Sequence, residues 1–112
     1  MNELIEMLRE FNEERDWEQF HSPKNLVMAL SVEVAEITEH FQWLTQDQSR
    51  NFKSENLDVV KDEVADIMIF LTLLADKFGI DPIKAAKEKI SVNARRYPVE
   101  LARGKADKYT GL

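Results

Sequence analysis

The chain has no cysteine and only three glycines and three prolines among its 112 residues. Without cysteine, disulfide bridges, thiolate metal sites and a cysteine nucleophile are excluded. The scarcity of glycine and proline leaves long stretches without helix breakers. Long apolar runs are missing as well. None approaches the ~18 residues that a membrane-spanning helix needs, so we expect no membrane partner.

Positive charge is also scarce, since 15 basic residues face 21 acidic ones and the formal net charge is −6. This balance argues against a general nucleic-acid partner, which would need clustered Lys and Arg. Most residues after Ile83 that carry charge are basic, so a local anion site remains possible there. The first residues, Met1-Asn2-Glu3, do not resemble a signal peptide, and we expect a cytoplasmic location.

Apolar residues recur at three- and four-residue spacing, which predicts an all-α protein, most simply a four-helix bundle with a C-terminal tail. We expect helices over residues 3–17, from 23 to about 44 after a Ser22 cap, over 54–78 with a Ser54 cap, and from Asp81-Pro82 to just before Pro98. Residues 46–53 should form the longest loop, and residues 99–112 a tail without clear period. All of it, residues 1–112, should be one domain. At this size it gains from assembly, so we expect a homodimer or homotetramer.

Two helices carry acids inside apolar surroundings. The seam of the second helix places Glu33 in a core-like position, because the residues in its register are Leu26, Leu30, Ile37, His40 and Leu44. Glu63 and Asp66 border the seam of the third helix, which consists of Val60, Val64, Ile67, Leu71, Leu74 and Phe78.

The pairs Glu33-x-x-Glu36 and Glu63-x-x-Asp66 each put two carboxylates on one helix face. No Lys or Arg occurs between positions 24 and 50 or between 61 and 77. Buried carboxylates without basic partners are costly unless a cation neutralises them. Oxygen ligands suit Mg²⁺, with Mn²⁺ as a possible substitute.

Spacing alone is weak evidence, because similar acidic pairs elsewhere in the chain lie near bases on solvated faces. A di-iron site would need Glu-x-x-His on two helices, and the histidines His21 and His40 are too isolated for zinc. Magnesium held by carboxylates usually takes further ligands from substrate phosphates. Since a glycine-rich phosphate loop is missing, hydrolysis of a nucleotide by metal-activated water is the simplest reaction left.

The two acidic pairs, 26 residues apart, resemble the signature of the all-α nucleoside triphosphate pyrophosphatases, the MazG-like superfamily. Further stretches are similar to its dCTP pyrophosphatase branch: Trp17, FHSPKNL at 20–26, FQW at 41–43, NARRYPV at 93–99, LARG at 101–104 and KYT at 108–110. The resemblance implies cleavage between the α and β phosphates. It implies that the four acids hold magnesium, with Glu36 orienting the attacking water and Glu63 as the second catalytic acid.

The resemblance also implies a nucleotide pocket. Its base-binding residues would be Trp17, His21 and Trp43, with Phe70 where dCTP-specific relatives place a tyrosine. The residues that face the triphosphate would be Lys87, Asn93 and Arg96. Each has a structural alternative: the tryptophans as core or interface residues, His21 as a loop residue, Lys87 as a solvated charge and Asn93 as a packing contact.

These features together predict a magnesium-dependent nucleoside triphosphate pyrophosphohydrolase, with dCTP or modified dCTP as substrate and nucleotide-pool sanitation as its role. One alternative is the same chemistry on dUTP or another non-standard triphosphate. An alternative of a different class is a non-catalytic helical interaction module whose acids recruit a basic partner.

Overall fold

The computed structural model describes residues 2–111, and within that range it contains helices and no strand. The predicted all-α architecture is therefore confirmed. None of the helices in this range is long and apolar enough to cross a membrane. The α-helices are α1 Asn2–Glu14, α2 Pro23–Phe41, α3 Gln46–Arg50, α4 Leu57–Lys77, α5 Pro82–Arg96 and α6 Val99–Ala102.

The chain divides into two compact units, one ending at Ile80 and one beginning at Asp81. The first unit holds α1 to α4, and its most extensive helix contact is between α2 and α4. The second unit holds α5 and α6. A single domain of residues 1–112 stays a prediction.

The start of α2 follows the predicted capping chemistry. The Ser22 hydroxyl accepts a hydrogen bond from the Asn25 backbone N–H at 3.2 Å, and Pro23 occupies the first turn. One turn later Leu26 is fully buried. The cap fixes the residue at which α2 begins, and the buried leucine fixes which face of α2 packs inward.

The first helix is shorter than predicted, because α1 ends at Glu14 and not at Trp17. Asp16 adopts a left-handed conformation with φ of 52°, which a helix cannot continue. The turn folds the chain back, so that the Trp17 backbone N–H donates to the Asn12 carbonyl at 2.9 Å. This reversal places the segment after α1 against the end of that helix.

The prediction of a loop over residues 46–53 is wrong, because α3 occupies Gln46–Arg50. A capping box forms it: the Thr45 hydroxyl accepts from the Gln48 N–H, and the Gln48 side chain accepts from the Thr45 N–H. This local polar chemistry needs no apolar period. The predicted Ser54 cap is also wrong, since a 3-10 helix spans Ser54–Asn56 and α4 begins only at Leu57.

The end of α4 and the start of α5 agree with the sequence. Gly79 has φ of 66°, as expected of a residue just beyond a helix, and α4 ends at Lys77. Asp81 caps α5 by accepting from the N–H groups of Ile83 and Lys84 at 3.0 and 3.2 Å. The tail is more regular than predicted, since it contains α6 and a 3-10 helix at Tyr109–Gly111. Its last residue lies outside the described range.

The predicted seam of α4 is wrong in part. Val64 and Phe78 are 53% and 62% exposed, whereas the buried positions of α4 are Thr72, Leu73 and Ala75. The reason is that α4 packs against α1 as well as α2, so its buried face is directed toward Thr72, Leu73 and Ala75 and is not centred on the predicted stripe. Part of that apolar stripe is left exposed.

Candidate metal and nucleotide site

Three carboxylates meet where α2 and α4 pack together. Glu33 and Glu36 lie one turn apart on α2, and Glu63 approaches them from α4. One oxygen from each side chain lies within 4.8 Å of the others. Glu33 reaches this interface because it follows the fully buried Leu26 by two helical turns, on the same face. We call Glu33, Glu36 and Glu63 the carboxylate cluster.

Two oxygens of the cluster are buried without a partner. Oε2 of Glu33 and Oε2 of Glu63 have no hydrogen bond within the described part of the chain. The ion pairs found there use other acids: Glu14, Glu18, Asp47 and Asp76. The local lack of Lys and Arg in the sequence thus leads to a half-buried negative site that has no basic partner among residues 2–111.

Two members of the cluster, Glu33 and Glu63, hold protons more tightly than ordinary carboxylates do. Burial, reinforced by the neighbouring Glu36, raises the pKa of Glu33 to about 7. Burial also raises the pKa of Glu63, although the closeness of the Glu33 carboxyl group opposes the rise. Both shifts follow from placing like charges together in a poorly solvated space.

The fourth predicted ligand, Asp66, lies on α4 one turn after Glu63 and is exposed. It is not part of the carboxylate cluster, but its charge contributes to the raised pKa of both Glu33 and Glu63, so it lies nearby. A donor set made only of carboxylate oxygens, two of them unpartnered, fits a hard divalent cation.

An apolar cavity of about 320 Å³ lies between α1 and α4 and contains three of the predicted base-binding residues. Trp17, His21 and Phe70 line it, and the Trp17 and His21 rings meet edge to face with centroids 6.4 Å apart. Phe70 follows Glu63 by seven residues, which places it two turns along α4 on the same face. The cavity and the carboxylate cluster are therefore linked through one helix.

Other predicted site residues lie elsewhere. Trp43 does not line this cavity and is 86% exposed, so within one chain it does not join Trp17 and His21. Lys87, Asn93 and Arg96 lie on α5 in the second unit. On a straight helix Lys87 and Arg96, nine residues apart, project from opposite sides, while Asn93 and Arg96 lie about 60° apart.

One residue of the cavity was missed by the sequence reasoning. Asn12 is only 4% exposed, lines the cavity and places its Nδ2 3.3 Å from Nδ1 of His21. A signal for it exists, since Asn12 continues the four-residue register of Leu4 and Leu8 on the inner side of α1. A polar residue in that register is a candidate for a buried role.

Comparison with known proteins places this geometry in a family. A sequence model described as the MazG-like family matches residues 28–112. The chain belongs to the MazG-like family. This MazG-like chain is 40% identical over 114 residues to dCTP pyrophosphatase 1 of Bos taurus, covering 100% of the chain and 68% of that protein. For dCTP pyrophosphatase 1 of Homo sapiens the identity is 39%, with 100% and 67% covered.

A solved structure agrees with the sequence relatives. The crystal structure of a pyrophosphatase from Archaeoglobus fulgidus is similar to this MazG-like chain with a TM-score of 0.82 and 42% identity. The match covers 88% of this chain and 92% of that one. The predicted MazG-like fold and the predicted pyrophosphohydrolase activity are thus confirmed.

The raised pKa of Glu33 predicts how the stability of the metal-free MazG-like chain depends on pH. Because the pKa is about 7 when folded and lies near 4.5 without the fold, ionising Glu33 weakens the fold as pH rises between these values. In EDTA, Glu33→Gln should melt at the same temperature as wild type near pH 4.5 and at a higher temperature at pH 8. Thermal unfolding followed by circular dichroism measures this.

The matched control for this prediction is Glu39→Gln, which changes an exposed glutamate on the same helix. It should not raise the melting temperature at pH 8. Equal effects of Glu33→Gln and Glu39→Gln would show that the gain comes from net charge and not from the carboxylate cluster.

Proposed function

We propose that this chain is a magnesium-dependent pyrophosphohydrolase that converts dCTP, or a modified dCTP, into the monophosphate and pyrophosphate. Its role would be to remove unwanted nucleotides from the pool. The observation that carries the proposal is the carboxylate cluster with two unpartnered oxygens, linked through α4 to a cavity lined by Trp17 and Phe70. The relatives named dCTP pyrophosphatase 1 support the choice of base.

The metal ligands in this proposal are the three members of the carboxylate cluster together with Asp66. Mg²⁺ is the proposed ion, and Mn²⁺ could replace it because both prefer oxygen ligands. When bound, the ion would supply positive charge to the phosphate oxygens and lower the pKa of a water molecule. The buried Oε2 atoms of Glu33 and Glu63 would then gain the partner that they lack among the described residues.

The catalytic carboxylates in this proposal are Glu36 and Glu63. Glu33 and Glu63 each have an oxygen that is buried without a partner, whereas Glu36 has none, so we assign the water-orienting role to Glu36. Glu36 would orient that water and accept its proton. Glu63 lies on α4, the helix that also carries Phe70. It would therefore hold the reacting phosphate at a fixed distance from the base cavity.

The phosphate-binding residues of this proposal lie on α5. Asn93 and Arg96 are close in helical phase and would act together on the triphosphate, one as a hydrogen-bond partner and one as a cation. The Arg96 guanidinium lies 4.9 Å from the ring centroid of Tyr109, which restrains it. Lys87, in the opposite phase, remains a proposed phosphate contact by resemblance alone.

Assembly is part of the proposal. Large apolar side chains remain exposed on one chain, among them Trp43 at 86%, Ile90 at 66% and Met28 at 57%. A homodimer or homotetramer would cover such side chains. Trp43 would then complete a base pocket from a neighbouring copy. A cytoplasmic location, without nucleic-acid or membrane partners, completes the proposal.

Hydrolysis should depend on Glu63 and on the divalent ion. Glu63→Gln keeps the shape of the side chain but removes its charge, so turnover of dCTP should fall at least ~100-fold while the helical signal persists. Pyrophosphate release from a nucleotide panel, with Mg²⁺ or with EDTA, measures this. Asp62→Asn, an exposed neighbour on α4, is the control and should stay active. Full activity of Glu63→Gln would refute the proposed role of Glu63 as a metal ligand. If wild type hydrolyses no triphosphate, the alternative of a non-catalytic interaction module is favoured.

Base preference should respond to Phe70. Adding a hydroxyl to the cavity wall with Phe70→Tyr should raise kcat/KM for dCTP relative to dUTP by about 3- to 10-fold, the effect of roughly one hydrogen bond. The same substitution at the exposed Phe20 is the control and should leave the ratio unchanged. A ratio that is equal in Phe70→Tyr and wild type would show that position 70 does not contact the base edge. A wild type that prefers dUTP would favour the alternative substrate.

The proposed assembly can be measured directly. Light scattering on the eluting protein should give the mass of two or four chains rather than 13.1 kDa. Replacing the exposed Met28 with Asp puts a charge on an apolar surface and should shift the mass toward the single chain if α2 contributes to the contact. Glu39→Lys, an exposed polar position on α2, should not. A monomeric, fully active wild type would contradict the assembly.

A further inference from the structure

The cavity is lined by a polar pair, a buried Asn12 and a half-buried His21, that the hydrolytic chemistry does not use. Asn12 and His21 are nine residues apart and meet through Nδ2 and Nδ1 at 3.3 Å. Both residues line the apolar cavity, and both also line a charged groove of about 370 Å³ bounded by Arg9, Asp76 and Lys77. The pair therefore forms the partition between an apolar space and a charged one.

The contact bears on which ring nitrogen of His21 carries hydrogen. Asn12 turns its amide nitrogen toward the ring, and because an amide nitrogen can only donate, Nδ1 of His21 accepts in this orientation and is unprotonated. In a neutral imidazole the hydrogen then sits on Nε2, which becomes a donor. We propose that Asn12 is a positioning residue that holds His21 in this tautomer, so that Nε2–H is presented to an acceptor atom of the nucleobase.

Among the side chains that line the cavity, polar atoms come from Asn12, Trp17 and His21, and Nε2 of His21 is the donor that the tautomer controls. The Trp17 ring contacts His21 edge to face, and Phe70 contributes a ring without a polar atom. The backbone carbonyl of Asn12 is already used, since it accepts from Arg15 and Trp17. A pyrimidine in this cavity would meet a fixed donor, for which its ring nitrogen N3 or a carbonyl oxygen is the matching acceptor. This consequence for the base rests on the proposed function.

The tautomer can be observed without any substrate. The chain has two histidines, His21 and the exposed His40, so ¹⁵N-labelled imidazoles give a simple long-range spectrum with an internal reference. At about pH 8.5, above the ordinary histidine range, wild-type His21 should show hydrogen on Nε2 alone. Asn12→Asp offers only acceptor oxygens, so the hydrogen should move to Nδ1. His40 should not change in either protein.

Kinetics give the second readout. Asn12→Asp at the same pH should raise KM for dCTP about tenfold and change kcat by less than about twofold, because binding of the base is affected and the carboxylate cluster is not. Asn25→Leu is the control. Asn25 ties the same segment by donating from Nδ2 to the Phe20 carbonyl at 2.9 Å, yet it does not touch the His21 ring, so the tautomer should be unaffected.

Three results would overturn the inference: hydrogen on Nδ1 of His21 in wild type, no change of tautomer in Asn12→Asp, or an equal change in Asn25→Leu. The wild-type spectrum decides the first of these even if the Asp variant fails to fold. Failure of the proposed function would look different. Then no triphosphate is hydrolysed by wild type, while the spectra still report whether Asn12 sets the tautomer.

Discussion

The arrangement of the first unit depends on the packing of α2 against α4, which brings the carboxylate cluster together. Three acids at a helix interface repel one another, and burial makes their charged forms costly. The acids stay together because Leu26, on the same face of α2 as Glu33, is fully buried and fixes the position of α2 against its neighbours. In the metal-free protein Glu33 reduces the repulsion among the acids by keeping a proton, as its raised pKa indicates. A divalent cation can replace that proton.

The position of α4 relates the cluster to the base cavity. Glu63 and Phe70 lie on one face of it, and further along Asp76 binds Arg9 of α1 in a bidentate ion pair. Arg9 is well exposed, so this pair contributes little energy by itself. A second ion pair, between Lys77 of α4 and Glu18, joins α4 to the segment after α1, and the apolar side chains that line the cavity come from both helices.

How far the sequence predicts this structure depends on the kind of interaction at each place. Glu33 was found because a strong apolar register surrounds it, and the Ser22 and Asp81 caps were found because capping is local. The α3 helix was missed, since its capping box involves only two polar side chains and no apolar period. The exposed side of α4 was misjudged because periodicity identifies an apolar stripe without saying which helix, or which copy of the chain, covers it.

The polar groups of the base cavity are likewise only partly predictable from the sequence. Position 70 is a phenylalanine and supplies no hydroxyl, which predicts weak discrimination between bases. Asn12 alters this expectation, because its buried amide lies 3.3 Å from His21 and adds a polar group to the cavity from a different helix. Asn12 and His21 partner each other at the boundary between the apolar cavity and the charged groove. In the proposed complex the nucleobase would supply an acceptor for the remaining nitrogen of His21.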